Sequence, residues 1–201
     1  MVLIKLLTFV LIVLFIVALL WSFSPSFFES PDYKTLRKVN NFEIREYNKN
    51  LVVMSSQGGS RETSLRVGFS NLARYIGGLS KEKTKISMTV PVIQEKTIDN
   101  KSWKTLFFVP KKFSLSNTPQ PLNENIKIKD SPKTQYAIIK FNGSPKNKLL
   151  NEKTKMLEDW IKDLGIEYDI NKIRYAFYHG PMTPGFLRKN EVHIPIKRKT
   201  N

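Results

Sequence analysis

Residues 51–78 read LVVMSSQGGSRETSLRVGFSNLARYIGG, and this stretch decides the architecture. Leu51-Val52-Val53-Met54 is a short apolar run of strand type. Gly58-Gly59 breaks it, and Ser60 stands where a helix N-cap accepts a backbone N–H. Leu65, Phe69, Leu72 and Ile76 then recur at spacings of four, three and four, one face of an α-helix. Gly77-Gly78 ends the helix with residues that tolerate left-handed backbone. Upstream, Phe42 and Ile44 alternate with Glu43 and Arg45. Residues 42–56 therefore read as a strand pair, or one long bent strand, interrupted at Asn48-Lys49-Asn50. Downstream, Ile86, Met88, Val90 and Val92 alternate as a strand, and Trp103 to Val109 form another, closed by Pro110.

The same order returns further along. Gln135 to Phe141 reads as a strand, Gly143 breaks it, and Ser144-Pro145 is a helix start. Leu150, Leu157, Ile161 and Leu164 form the apolar stripe of that helix, joined by Leu149, Met156 and Trp160, and Gly165 ends it. Ile173 to Tyr178 and Val192 to Ile196 are the last two strands. The element order β-α-β-β thus occurs twice, with two main helices, and Lys111 to Pro132 joins the halves as a loop. This is an α+β class with pseudo-twofold repetition. Both helices are expected outside the sheet, with a ligand cleft between sheet and helices.

At the other end of the hydropathy range, Leu6 to Trp21 is apolar apart from Thr8. With Val2 to Ile4 and Phe23 the run reaches about 20 residues, enough for a hydrocarbon core of ~30 Å. No small-residue cleavage site follows it, since Leu20, Trp21 and Phe23 are bulky, so an uncleaved single-pass transmembrane anchor is expected rather than a signal peptide. Lys5 and the terminal amine favour a cytoplasmic N-terminus, which places the domain outside the cytoplasm. The chain divides into an anchor (1–24, entering the membrane through residues 2–23), a tether (25–32), a folded domain (33–197) and a basic tail (198–201).

The 201 residues carry 33 Lys and Arg against 17 Asp and Glu, a net charge of +16. Lys5 and Glu29 cancel within residues 1–29, so the whole excess lies beyond the anchor. Such a surface attracts anionic ligands, nucleic acid or lipid head groups. There is no cysteine, which removes disulfides, thiolate metal sites and cysteine nucleophiles. With only His179 and His193, no HExxH metal site can form, and neither GxSxG nor a P-loop occurs. A binding protein is expected rather than an enzyme. Phe107, Phe108, Tyr175, Phe177, Tyr178 and Phe186 lie on or beside strands, where flat ligands stack. The RNP aromatic signature is absent, and no nucleic-acid partner is expected beside a membrane anchor. His193 alternates with Val192 and Ile194, and so points away from the face they bury, to solvent or to a second surface.

Three stretches carry a resemblance: FEIREY at 42–47, KISMTVPV at 85–92 and YHGPMTPGFLRKNEVHI at 178–194. In this order and spacing the chain resembles the SOUL haem-binding protein family from about Tyr33 to Ile196. The resemblance implies a distorted β-barrel of two β-α-β-β repeats. It also implies a non-catalytic carrier, buffer or scavenger of haem or related tetrapyrroles, without a universal axial ligand. Some family members carry His at the position held here by Glu46, so that coordination is not available. Ligand-binding residues are expected at Leu65, Phe69, Met88, Phe177 and His179, with Arg66 or Arg174 near the carboxylates and His179 as the possible metal ligand. The alternative on the same scaffold is a sensor or binder of other amphipathic small molecules.

Overall fold

A computed structural model describes residues 2–23, 27–97 and 101–197; in residue 2 and in residues 19–23 it describes the backbone only. The elements are α1 (Val2–Phe23), β1 (Tyr33–Val39), β2 (Phe42–Tyr47), β3 (Asn50–Gly58), α2 (Arg61–Ile76), β4 (Val92–Lys96), β5 (Ser102–Phe108), β6 (Ile126–Ser131), β7 (Thr134–Asn142), α3 (Asn147–Asp163), β8 (Arg174–Phe177) and β9 (Lys189–Pro195). All nine strands join one antiparallel sheet in the order β1-β2-β7-β9-β8-β4-β5-β3-β6.

The order shows how the repetition is built. β4 and β8 are paired at the centre. On one side β8-β9-β7 repeats what β4-β5-β3 does on the other. The strand that precedes each unit is exchanged: β2 pairs with β7, and β6 pairs with β3. The links between β2 and β3 (Asn48-Lys49) and between β6 and β7 (Pro132-Lys133) are each two residues long, so each carries the chain directly from one half to the other. The sheet curls into a half-barrel whose outer strands, β1 and β6, are not paired to each other among the described residues. The barrel implied by the resemblance is therefore open.

α2 lies on β3 and β5, and α3 on β7 and β9. Ser60 caps α2, its side chain accepting from the Thr63 N–H. Leu72 and Tyr75 pack with Val53, Ile86 and Phe107, while Leu150, Leu157 and Ile161 pack with Ile139, Tyr175 and Val192. Leu65 touches both clusters, so the expected cleft between sheet and helices is filled by core. Gly68 brings α2 close to β5: a Cβ there would sit 2.5 Å from Thr105 Oγ1.

Several boundaries differ from the sequence reading. Only Val92 of the Ile86–Val92 run enters a strand. Pro91 has no N–H for a ladder, and the preceding residues bond elsewhere, the Ile86 N–H to Ile76 O and the Val90 N–H to Glu29 O. α3 starts at Asn147 rather than at Ser144-Pro145. Gly77 is right-handed and Gly78 takes the positive φ of 111°. The Lys111–Pro132 loop contains β6, in which Ile126 and Ile128 alternate with Lys127 and Lys129. β1 was missed because all seven of its residues are exposed and no buried face marks it.

α1 has 22 residues; its large apolar side chains from Leu3 to Val17 are exposed and none joins a core cluster. The domain core is complete without it. Among the described residues no helix is long and apolar enough to cross a membrane. Glu29 to Asp32, read as tether, are bonded to the domain through Val90, Lys111 and Asn48. The expected basic tail, 198–201, lies outside the described residues.

Candidate functional site

Strand alternation gives the curled sheet a second face, turned away from the helices. There Arg45 stands opposite Tyr136, Glu43 and His193 opposite Ile138, and Glu191 opposite Lys140. Position 45 would be an ordinary solvent-facing residue on a flat sheet. The curl buries it completely, at 0% exposure, together with Glu43, Glu191, His193 and Arg174. Charges buried to this degree persist only when paired and hydrogen-bonded.

Here the pairing is dense. The Arg45 guanidinium donates from Nε to Glu43 Oε2 at 2.6 Å and from Nη2 to Glu191 Oε1 at 2.9 Å. Its Nη1 donates to Glu191 Oε2 at 3.2 Å and to the Tyr47 hydroxyl at 3.1 Å. The Tyr33 ring covers it at 4.2 Å. Lys140 donates to the free oxygen of Glu43 at 2.7 Å, and the Tyr178 hydroxyl to Glu191 Oε2 at 2.9 Å. His193 completes the array, with Nε2 2.7 Å from Glu191 Oε2 and Nδ1 3.2 Å from Arg174 Nε. The Arg174 guanidinium stacks on Tyr136 at 3.7 Å.

One tautomer satisfies both contacts of His193. Glutamate can only accept and arginine can only donate, so Nε2 carries the hydrogen and Nδ1 is the acceptor. The imidazole is therefore neutral. Burial drives its pKa down to about 4; the Glu191 bond opposes this and the Arg174 cation adds to it. Burial pushes Glu191 up, but the hydrogen bond from His193 and the Arg45 guanidinium outweigh it and hold the carboxyl at about 2. With His193 neutral, Arg45, Arg174 and the half-exposed Lys140 face two glutamates.

A pocket of about 300 Å3 opens over this array. Tyr33, Phe141 and Tyr178 supply ring surface, and Arg45 and Glu191 are its buried base. Lys140 and Lys189 stand at the edge with Asn142 and Asn190. Aromatic walls beside two lysines suit a flat ligand with a carboxylate edge. Among the described residues no group of three His, Asp or Glu could hold a metal ion.

A protein-family model described as "SOUL heme-binding protein" matches residues 28–195. The chain belongs to the SOUL haem-binding family. A curated relative, Heme-binding protein 2 of Homo sapiens, is 25% identical over 165 residues, covering 79% of this chain and 80% of that protein. Among solved structures, the C-terminal domain of EcmrR matches with a TM-score of 0.58 at 14% identity, covering 83% of this chain and 98% of that one. A hydrolase from Listeria innocua matches with a TM-score of 0.57 at 10% identity, covering 81% and 94%. At those identities the two structures share the fold alone.

In this SOUL protein the seven residues singled out from the sequence do not gather in one place. Leu65, Met88 and Phe177 pack into the helix-side core. Phe69 is 41% exposed on α2 with its ring edge on Phe107, and Arg66 is exposed beside it on the same helix. Arg174 is buried on the opposite face, bound to His193. His179 lies next to pocket residue Tyr178, and its Nδ1 accepts the N–H of pocket residue Lys189 at 3.1 Å. The lining residues Arg45 and Glu191 were missed, although both sit inside quoted motifs. Strand alternation alone reads a charged residue there as solvated, and of the two open destinations for His193 the second surface is the one it takes.

Proposed function

We propose that this chain is a membrane-tethered, non-catalytic binding protein for haem or related tetrapyrroles, and that the ligand seats in the pocket above Arg45 and Glu191. Membership of the SOUL family across residues 28–195 carries this reading. The pocket supports it through its chemistry. Tyr33, Phe141 and Tyr178 offer apolar ring surface, while Lys140 and Lys189 stand where propionate-like carboxylates would be paired. Burial of apolar ligand surface at ~25 cal/mol per Å2 drives association, and each edge lysine adds up to about 1 kcal/mol because it stays wet.

The residues fit the organic part of haem better than its iron. His193 has both nitrogens committed to Glu191 and Arg174, so it cannot be an axial ligand without dismantling the buried array. Coordination by His179 would have to use Nε2, because Nδ1 holds the Lys189 N–H. A bound haem would supply redox-active iron chemistry; the described side chains supply binding surface and charge. For the tether, the supporting features are the apolar run of the sequence from Leu6 to Trp21 and the exposed apolar side chains of α1 from Leu3 to Val17.

The test is a haemin and protoporphyrin titration of residues 28–201, followed in the Soret band. Saturable binding of both is expected, weakened several-fold in Lys140→Glu/Lys189→Glu. Binding that disappears in His179→Ala for haemin but not for protoporphyrin would assign iron ligation to that histidine. Absence of saturable binding for either ligand would overturn the proposal.

A further inference from the structure

We propose that the surface formed by the α2–β4 and β5–β6 connections docks the domain onto an anionic lipid bilayer, an inference that rests on α1 being the membrane anchor. The two connections are fused into one ledge. Ser80 bridges to Pro121, the Lys81 N–H donates to Gln120 O at 2.9 Å, and the Gln120 N–H donates to Glu82 Oε2 at 2.8 Å. From beneath, the Tyr75 hydroxyl donates to Pro119 O at 2.6 Å. These bonds hold the backbone, so the exposed side chains above it are presented by a fixed support.

Those side chains have an unusual composition for a solvent face. Leu79, Leu115 and Leu122 are 49%, 56% and 55% exposed. Between them stand Lys81, Lys83, Lys85 and Lys112, all exposed and none in an ion pair among the described residues. The acids of the two connections are Glu82, whose Oε2 accepts the Gln120 N–H, and Glu124, both exposed and fewer than these four lysines. Leucines flanked by an excess of lysines match a bilayer interface, where apolar side chains enter the acyl boundary and ammonium groups meet phosphates.

Position commits the ledge to that partner. The chain arriving from α1 is fastened at its base: Glu29 O accepts the Val90 N–H at 2.9 Å, Glu29 Oε1 accepts the Lys111 N–H at 2.7 Å, and Asp32 pairs with Lys111 Nζ at 2.7 Å. From Phe23, the last helical residue, to Glu29 is six residues, at most about 20 Å of extended chain. A domain tied this closely by this edge must hold the ledge near the head groups, within a few Debye lengths of their charge.

The chain has no cysteine, so single probes can be placed at will. Full-length protein carrying Leu115→Cys or Leu122→Cys, labelled with an environment-sensitive fluorophore, is assembled into phosphatidylcholine discs with or without phosphatidylserine. A control probe at Lys155→Cys sits on α3, packed over β7 and β9. The ledge probes should blue-shift only with phosphatidylserine. The shift should reverse at high salt and be lost in Lys81→Gln/Lys83→Gln/Lys85→Gln/Lys112→Gln, while the control stays constant. Protein that co-migrates with discs but shows no lipid-dependent shift overturns the docking surface and leaves the anchor intact. Protein that fails to co-migrate with either disc overturns the anchor, and the docking surface with it.

Discussion

Acidification should destabilise this fold through one residue, His193, before the carboxylates respond. In the folded chain its pKa is about 4. In the unfolded chain it returns to about 6.5. Between these values the unfolded state binds a proton that the folded state refuses. Stability is therefore full above about pH 6.5 and falls as the pH drops towards 4. The total is about 3 kcal/mol, of which about 2 kcal/mol should be lost between pH 7.5 and pH 5. Geometry explains the refusal, because a proton on Nδ1 would face the Arg174 Nε–H at 3.2 Å, donor against donor. Glu191, held at about 2, keeps its contribution down to about pH 4.5 and loses it only below that, so the two windows separate. The assay is urea unfolding of residues 28–201, followed by the fluorescence of Trp103 and Trp160. A loss of ~2 kcal/mol moves the midpoint by roughly 1 M. His193→Gln retains a donor and an acceptor but does not titrate, and should flatten the profile over this range. Equal losses in wild type and variant would refute the assignment.

Two further substitutions test the packing and the buried array. Arg45→Met strips Glu43 and Glu191 of their shared buried cation and should cost about 3–5 kcal/mol, read as a lowered urea midpoint at pH 7. An Arg45→Met/Glu43→Gln/Glu191→Gln variant should recover part of that loss, since no carboxylate is then left unpaired. Gly68→Ala forces a methyl against Thr105 and should destabilise by about 1–3 kcal/mol by thermal unfolding, although alanine is the better helix former. A neutral or stabilised Gly68→Ala would show that α2 can lift from β5 at no cost.

Periodicity alone sufficed for much of this architecture. The 3.6-residue stripes of Leu65 to Ile76 and Leu150 to Ile161, the Ser60 cap and the alternation at Phe42–Ile44 and Val192–Ile194 are local patterns, and the structure places helices and strands at each. The doubled β-α-β-β order followed from them. Where local signals were weak the reading failed. β1 has no buried face, and β6 was passed over inside a Pro-rich loop. Ile86–Val90 alternates like a strand but spends its N–H groups on Ile76 and Glu29.

What the amino-acid order could not specify was the destination of the alternate positions. Arg45, Glu191 and His193 have the spacing of solvent-facing residues, and on a flat sheet they would be. Curling of nine strands, with β2 exchanged onto β7 and Tyr33 folded over Arg45, buries the charges of that face and joins them in a hydrogen-bonded network. The same long-range event fills the helix side with Leu65, Met88 and Phe177 and moves the pocket to the opposite surface. Side-chain period is a property of the local backbone, whereas burial depends on which distant strand closes over it, and only the tertiary structure carries that information.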